Sequence, residues 1–77
     1  MNQVFLVGEI ITDIEFKFII NSKNISVAIF KIKTPKDNQI IPIKCYNEQA
    51  DYFYSRHKNG DSVILEGRLE DNTVIVI

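Results

Sequence analysis

Five strand-like segments, one short helical interval between the third and fourth, and turn-forming residues at the junctions predict an all-β domain with one short helix. The expected order is β-β-β-α-β-β. The chain has 77 residues, 45% of them hydrophobic and 25% charged, inside the range of globular domains and outside that of disordered chains. A chain this short removes only about 60% of its extended surface on folding. It can hold one core, so residues 1–77 are expected to form a single domain. Such a core contributes only a few kcal/mol of net stability, roughly 3 to 5, which makes oligomerisation a natural supplement.

Residues 4–20 are rich in Val, Ile and Phe and are interrupted only by Gly8 and the polar Thr12-Asp13, which reads as one long strand with a bend or bulge. Asn21, Ser22, Lys23 and Asn24 supply turn chemistry. A second strand is expected over about residues 25–33, ended by Thr34-Pro35-Lys36-Asp37-Asn38, and a third over about 39–46. Pro42 has no N–H to give, so the chain there should lie at a sheet edge or bulge. Between Asn47 and Lys58 the period changes, with Ala50, Phe53, Tyr54 and His57 at i, i+3, i+4 and i+7, which predicts a short amphipathic helix. Asn47 is the expected N-cap and Gly60 the left-handed residue that closes the helix. Residues 62–70 read as the fourth strand, Asp71-Asn72 as a two-residue turn, and 73–77 as the fifth strand. Five strands with one helix between the third and fourth is the layout of the OB-fold, a partly open, five-stranded Greek-key barrel.

Several function classes lack the residues they need. Cys45 is the only cysteine, so no disulfide scaffold can form within the chain. One Cys and one His, without His-x-x-x-His or Cys-x-x-Cys spacing, are too few for a zinc site. His57 shares a helix face with Phe53 and Tyr54, and a packing or capping role is expected for it. The pairs Asp13 with Glu15 and Glu66 with Glu70 have no evident base, nucleophile or burial to tune them. Gly8, Gly60 and Gly67 form no phosphate-cradling motif. No enzyme activity, metal, cofactor or small-molecule substrate is therefore expected. No stretch approaches the roughly 18 apolar residues of a membrane span, and Met1-Asn2-Gln3 carries no positive charge before its short apolar run. A cytoplasmic protein without a membrane partner is the expectation.

The residues also resemble a known family. Asn2-Gln3-Val4-Phe5-Leu6-Val7-Gly8-Glu9-Ile10, followed by Asp13-Ile14-Glu15-Phe16-Lys17-Phe18, is similar to the opening of bacterial single-stranded DNA-binding proteins. Ile41-Pro42-Ile43-Lys44-Cys45-Tyr46 resembles that family's strand ending in an aromatic, and Gln49-Ala50 its helix start. The most specific stretch is Lys58-Asn59-Gly60-Asp61-Ser62-Val63-Ile64-Leu65-Glu66-Gly67-Arg68-Leu69. The family's long basic loops, between strands two and three and between four and five, are here cut to a few residues. There is no Trp. The disordered linker and acidic tip by which the family recruits other replication proteins are expected to be missing.

Strand parity separates core from surface, because alternate side chains face opposite sides of a sheet. Ala28, Phe30, Ile32, Ile41, Ile43, Cys45, Val63, Leu65, Gly67 and Leu69 are assigned to the core, as are Val4, Leu6 and Ile10 on the first strand. Of Phe16 and Phe18, at least one should be core. Opposite them, Val27, Ile29, Ile40, Ile64, Glu66 and Glu70 face outward, together with the candidate nucleic-acid-binding residues Lys31, Lys33, Lys44, Tyr46 and Arg68. These put basic side chains and an aromatic on neighbouring strands, which can hold phosphates while a base stacks on the ring. Lys and Arg on an exposed strand face also serve simply as solvated residues that discourage edge pairing. Glu66 and Glu70 on the same face would repel phosphate, and the net charge of −1 gives no global pull toward a polyanion.

The resemblance implies non-sequence-specific binding of single-stranded DNA in support of replication, recombination or repair, with single-stranded DNA and further copies of the chain, in a homodimer or higher homo-oligomer, as partners. The alternative is an OB-fold dimerisation or protein-interaction module that has lost DNA binding along with its loops. RNA, tRNA or an oligosaccharide are further ligands of such folds. Gln3, Phe5 and Val7 fall on the outward side of the first strand with nothing evident to cover them. The family pairs subunits there, and a homodimer through this strand is expected.

Overall fold

The computed structural model describes residues 2–20 and 23–77. Its elements are β1 (Val4–Ile10), β2 (Glu15–Ile19), β3 (Ile25–Lys33), β4 (Ile40–Tyr46), α1 (Asn47–Arg56), β5 (Ser62–Glu70) and β6 (Thr73–Val76). The predicted turn at residues 21–24 falls half outside the described residues, since Asn21 and Ser22 are not among them.

The long first strand is in fact two, both paired with β3. From Ile10 opposite Ile32 to Glu15 opposite Ile29, the chain advances five residues while β3 advances three. Two residues are thus looped out of the ladder. Because the insertion is two and not one, even-numbered positions keep facing inward on both sides of the break, so Ile10 is buried and Phe16 packs against the core. Phe18, further along, is exposed. The ladder groups of Lys31 find substitutes: its N–H donates to Thr12 Oγ1 at 3.0 Å and its carbonyl accepts from Ile11 N–H at 2.9 Å.

The sheet runs β1-β5-β6-β4-β3-β2, and β1 also pairs with β3, closing the OB-fold ring. Every pairing is antiparallel except β4–β6. The closure is incomplete. Residues 4–8 of β1 pair with β5 only, while β3 reaches β1 just at Glu9 and Ile10. Between that free edge and the start of β4 lies an apolar groove of about 570 Å³, lined by Val4, Leu6, Ile40, Ile41 and Leu69 among others. Leu69 has core parity, but the groove leaves it exposed, which corrects its assignment to the core.

Pro42 fits this opening. Thr34 N–H donates to the Gln39 carbonyl at 2.9 Å, and counting along the ladder from there makes Pro42, opposite Lys31, a non-hydrogen-bonded position toward β3. Its nitrogen faces the groove, ahead of the point where β6 joins at Ile43. At Pro42 the strand is locally an edge, although β4 is central in the sheet.

Phe30, Ile32, Ile43, Cys45, Val63, Leu65 and Val74 fill the interior, and Ala50 and Phe53 of α1 close one end, with the Phe53 and Phe30 rings 5.3 Å apart. The helix limits differ from expectation. Tyr46, with extended backbone and no side-chain cap bond, is the N-cap, while Asn47 already lies inside at φ +53°. Asn tolerates left-handed backbone as readily as it caps, so the same residue preference has two structural origins. At the other end His57 caps by donating its N–H to the Phe53 carbonyl, and the helix stops at Arg56, short of Lys58. Gly60 does adopt a positive φ of +101°, but in the following turn, where its N–H donates to the Ile10 carbonyl at 2.7 Å. Among the described residues no helix is long and apolar enough to cross a membrane.

Candidate nucleic-acid interface

The outer face of β5, β6, β4 and β3 is built from the ladder register. Arg68 stands opposite Ile75, Ile75 beside Lys44, and Lys44 opposite Ile29. Two residue pairs further along, Tyr46 stands opposite Val27; two in the other direction, Lys31 stands opposite Pro42. The cationic side chains therefore surround an apolar floor. Ile75 is only 7% exposed and Val27 only 5%. Val27 has outward parity yet is buried, because Lys17 and Tyr46 flank it in the ladder and long side chains can lie across such a position.

Tyr46 is 39% exposed, with Lys44 Nζ 5.5 Å from its ring centroid. With Lys44 Nζ over the ring, the part of the half-exposed ring that stays open is what a second flat partner can use. Arg68 Nε donates to Glu70 Oε2 at 2.7 Å, both side chains being about half exposed. An exposed pair of this kind is worth about 0 to 1 kcal/mol, so a phosphate can compete for the guanidinium. Glu66, the other acid of concern, accepts from Gln3 Nε2 toward β1. Among the described residues, Lys31, Lys33 and Lys44 make no ion pair.

The predicted set is thus a stripe and not a tight cluster. Lys44, Tyr46 and Arg68 lie close in register. Lys31 is four residues from Val27 along β3 and Lys33 six, which at strand rise is about 14 and 20 Å. Lys33 also stands beside Glu9 of β1. Sequence reasoning missed the depression of about 160 Å³ formed by Lys44, Tyr46, Glu70, Asp71, Thr73 and Ile75. Its acidic rim comes from the β5–β6 turn, where Asp71 has φ +54°; the turn was legible, but where it aims its carboxylates was not.

The remaining candidates are placed as follows. His57 Nδ1 is 3.2 Å from Asp61 Oδ2, and its ring centroid is 5.3 Å from that of Phe53, the packing role its helix position implies. Among the described residues no group of three or more His, Cys, Asp or Glu could hold a metal ion. Burial pushes the Cys45 thiol up to about 12, so it stays protonated and acts as a small hydrophobe. Tyr54, counted on the packed helix face, is exposed, though its ring stacks on Phe16 with centroids 4.6 Å apart. On the β1–β5 surface, Phe5 and Val7 are 70% and 55% exposed, and Ile64, opposite Val7, is 77% exposed.

A family model described as the single-strand binding protein family matches residues 1–74. Among solved structures, the SSB domain of a Synechococcus protein superposes with a TM-score of 0.89 at 21% identity, over 100% of this chain and 91% of that one. The single-stranded DNA binding protein from Thermus aquaticus gives 0.87 at 20% identity, over 100% of this chain but 38% of its own. The N-terminal domain of PriB from Thermoanaerobacter tencongensis, described as dimeric, gives 0.64 at 24% identity, over 97% and 89%. No curated protein matches the chain by sequence.

Proposed function

The chain belongs to the single-strand binding protein family, and from that membership we propose that it binds single-stranded DNA, without reading a defined sequence, through the outer face of β3, β4, β6 and β5. The observation that carries the choice of face is the half-exposed Tyr46 ring with Lys44 against it and Arg68 across β6, Lys31 standing about 14 Å further along β3. Phosphates pair with the cations, Lys33 extending the track along β3, while one base stacks on Tyr46. Binding of this kind serves replication, recombination or repair by covering transiently unpaired strands in the cytoplasm, and it involves no catalytic step.

The same reading includes a homodimer. Residues 4–8 of β1 leave a row of backbone groups unpaired at an edge, and Gln3, Phe5, Val7 and Ile64 lie on the adjoining outer face. Pairing β1 with β1 of a second copy fills the edge and begins to cover those side chains. The PriB domain, similar in fold and described as dimeric, supports a two-copy assembly.

Titration of a labelled oligothymidine at several salt concentrations tests the DNA site. With three or four cationic contacts and a slope of about −0.7 per phosphate on single strands, log affinity should fall against log salt with a slope of about −2 to −3. A slope near zero, or tighter binding to duplex than to single strand, overturns the assignment.

A further inference from the structure

Taking the outer face as the DNA site, we infer that the track continues past Tyr46 onto β2, where Lys17 is a further phosphate contact that Glu15 holds until DNA displaces it. The inference rests on that site and extends it by one strand.

The ladder places Lys17 on the track. Lys17 pairs with Val27 and Val27 with Tyr46, so the three stand in one row across β2, β3 and β4. Partners in a row share one face of a sheet. Two strand spacings separate Lys17 from Tyr46, about 10 Å, whereas Lys31 and Lys33 lie about 14 and 20 Å along β3 from the Val27 row. Lys17 is therefore the nearer of these cations. The Tyr46 ring then has Lys44 against it from its own strand and Lys17 across the covered Val27. A nucleotide stacked on the ring carries phosphates on both sides of its sugar, and this arrangement offers each a cation.

Lys17 is held but not committed. Its Nζ lies 3.5 Å from Glu15 Oε1, and both side chains are more than half exposed. Exposed pairs of this kind contribute little. The ammonium has three donors, so it can turn to a phosphate without leaving a buried group unpaired. At the β5 end of the track Arg68 is held in the same way by Glu70, two residues along its own strand. Each end of the track thus carries a cation beside a carboxylate of the same strand, and in both cases phosphate has to replace that carboxylate.

The test breaks the Lys17–Glu15 pair from each side and reads anisotropy titrations of labelled oligothymidine with the full chain. At low salt Lys17→Gln should weaken binding severalfold and lower the slope of log affinity against log salt by about 0.7, the share of one phosphate on a single strand. Glu15→Gln should tighten binding about twofold, the effect of lifting one unit charge from about 10 Å away in water. A pair that serves only to hold β2 would give both variants the same sign. Lys58→Gln removes an equal charge between α1 and β5 and should cost less than Lys17→Gln. Unchanged affinity or slope in Lys17→Gln, no tightening in Glu15→Gln, or an equal loss in Lys58→Gln overturns the inference and leaves the site around Tyr46 standing. If the unaltered chain does not bind oligothymidine, the DNA site itself is wrong and the role of Lys17 falls with it.

Discussion

Tyr46 carries more of the proposed function than any other side chain, and its position explains why it can be changed without losing the fold. Its backbone is held by the ladder to Val27 and by the start of α1, while its ring lies on the surface rather than in the core. Tyr46→Ala should weaken oligothymidine binding by about 1 to 3 kcal/mol, the usual worth of one base stacked on an aromatic ring. Tyr46→Phe should keep most of that affinity, since the platform needs the ring and not the hydroxyl. Both are read by titration, alongside a circular dichroism melt. A melt that shows Tyr46→Ala unfolded would mean that the ring belongs to the packing over Val27. Lys44→Ala should cost less, with a loss that shrinks as salt rises.

Among the elements, the β5–β6 hairpin leaves no room for a side chain at Gly67. A Cβ on Gly67 would come 2.4 Å from the Ile75 carbonyl oxygen and 2.8 Å from Val74 Cγ1. Backbone of a paired strand cannot step aside, so Gly67→Ala should destabilise by about 1 to 3 kcal/mol, the usual cost of overpacking. At this chain length that lowers the melting temperature by about 4 to 8 °C per kcal/mol, measurable by differential scanning calorimetry. An unchanged melting temperature would mean that the hairpin opens there. The limits of β3 and β5 were legible because their β-forming runs are bounded by polar turn residues. The break between β1 and β2 was not, since a two-residue insertion preserves the alternation from which strands are read. The expected cap at Asn47 failed because capping and left-handed backbone favour the same amino acid. At the interface, parity placed Lys44, Tyr46 and Arg68 on one face correctly. It could not reveal the Arg68–Glu70 pair or the acidic rim, which depend on how the turn folds back, nor that Val27 is covered despite facing outward.

For the molecule as a whole, β1 leaves an edge open over residues 4–8, with the exposed Phe5, Val7 and Ile64 beside it. Sedimentation at micromolar concentration should show a dimer, and Phe5→Glu should shift it to a monomer by placing a charge in the shared face. A single monomeric species that Phe5→Glu leaves unchanged would end the dimer proposal. The placement of β6 bears on how the molecule comes into being. Of the six strands described, the one furthest along the chain lies between β4 and β5, parallel to the one and antiparallel to the other. On the ribosome, β1 to β3 can form their hairpin early, but the ring has no wall between β4 and β5 until Val76 has left the exit tunnel. Ring closure is therefore a late, long-range event, of the kind that places β-barrels among the slower folders at milliseconds to seconds. Until then the apolar faces of the half-built ring stand open to other nascent chains.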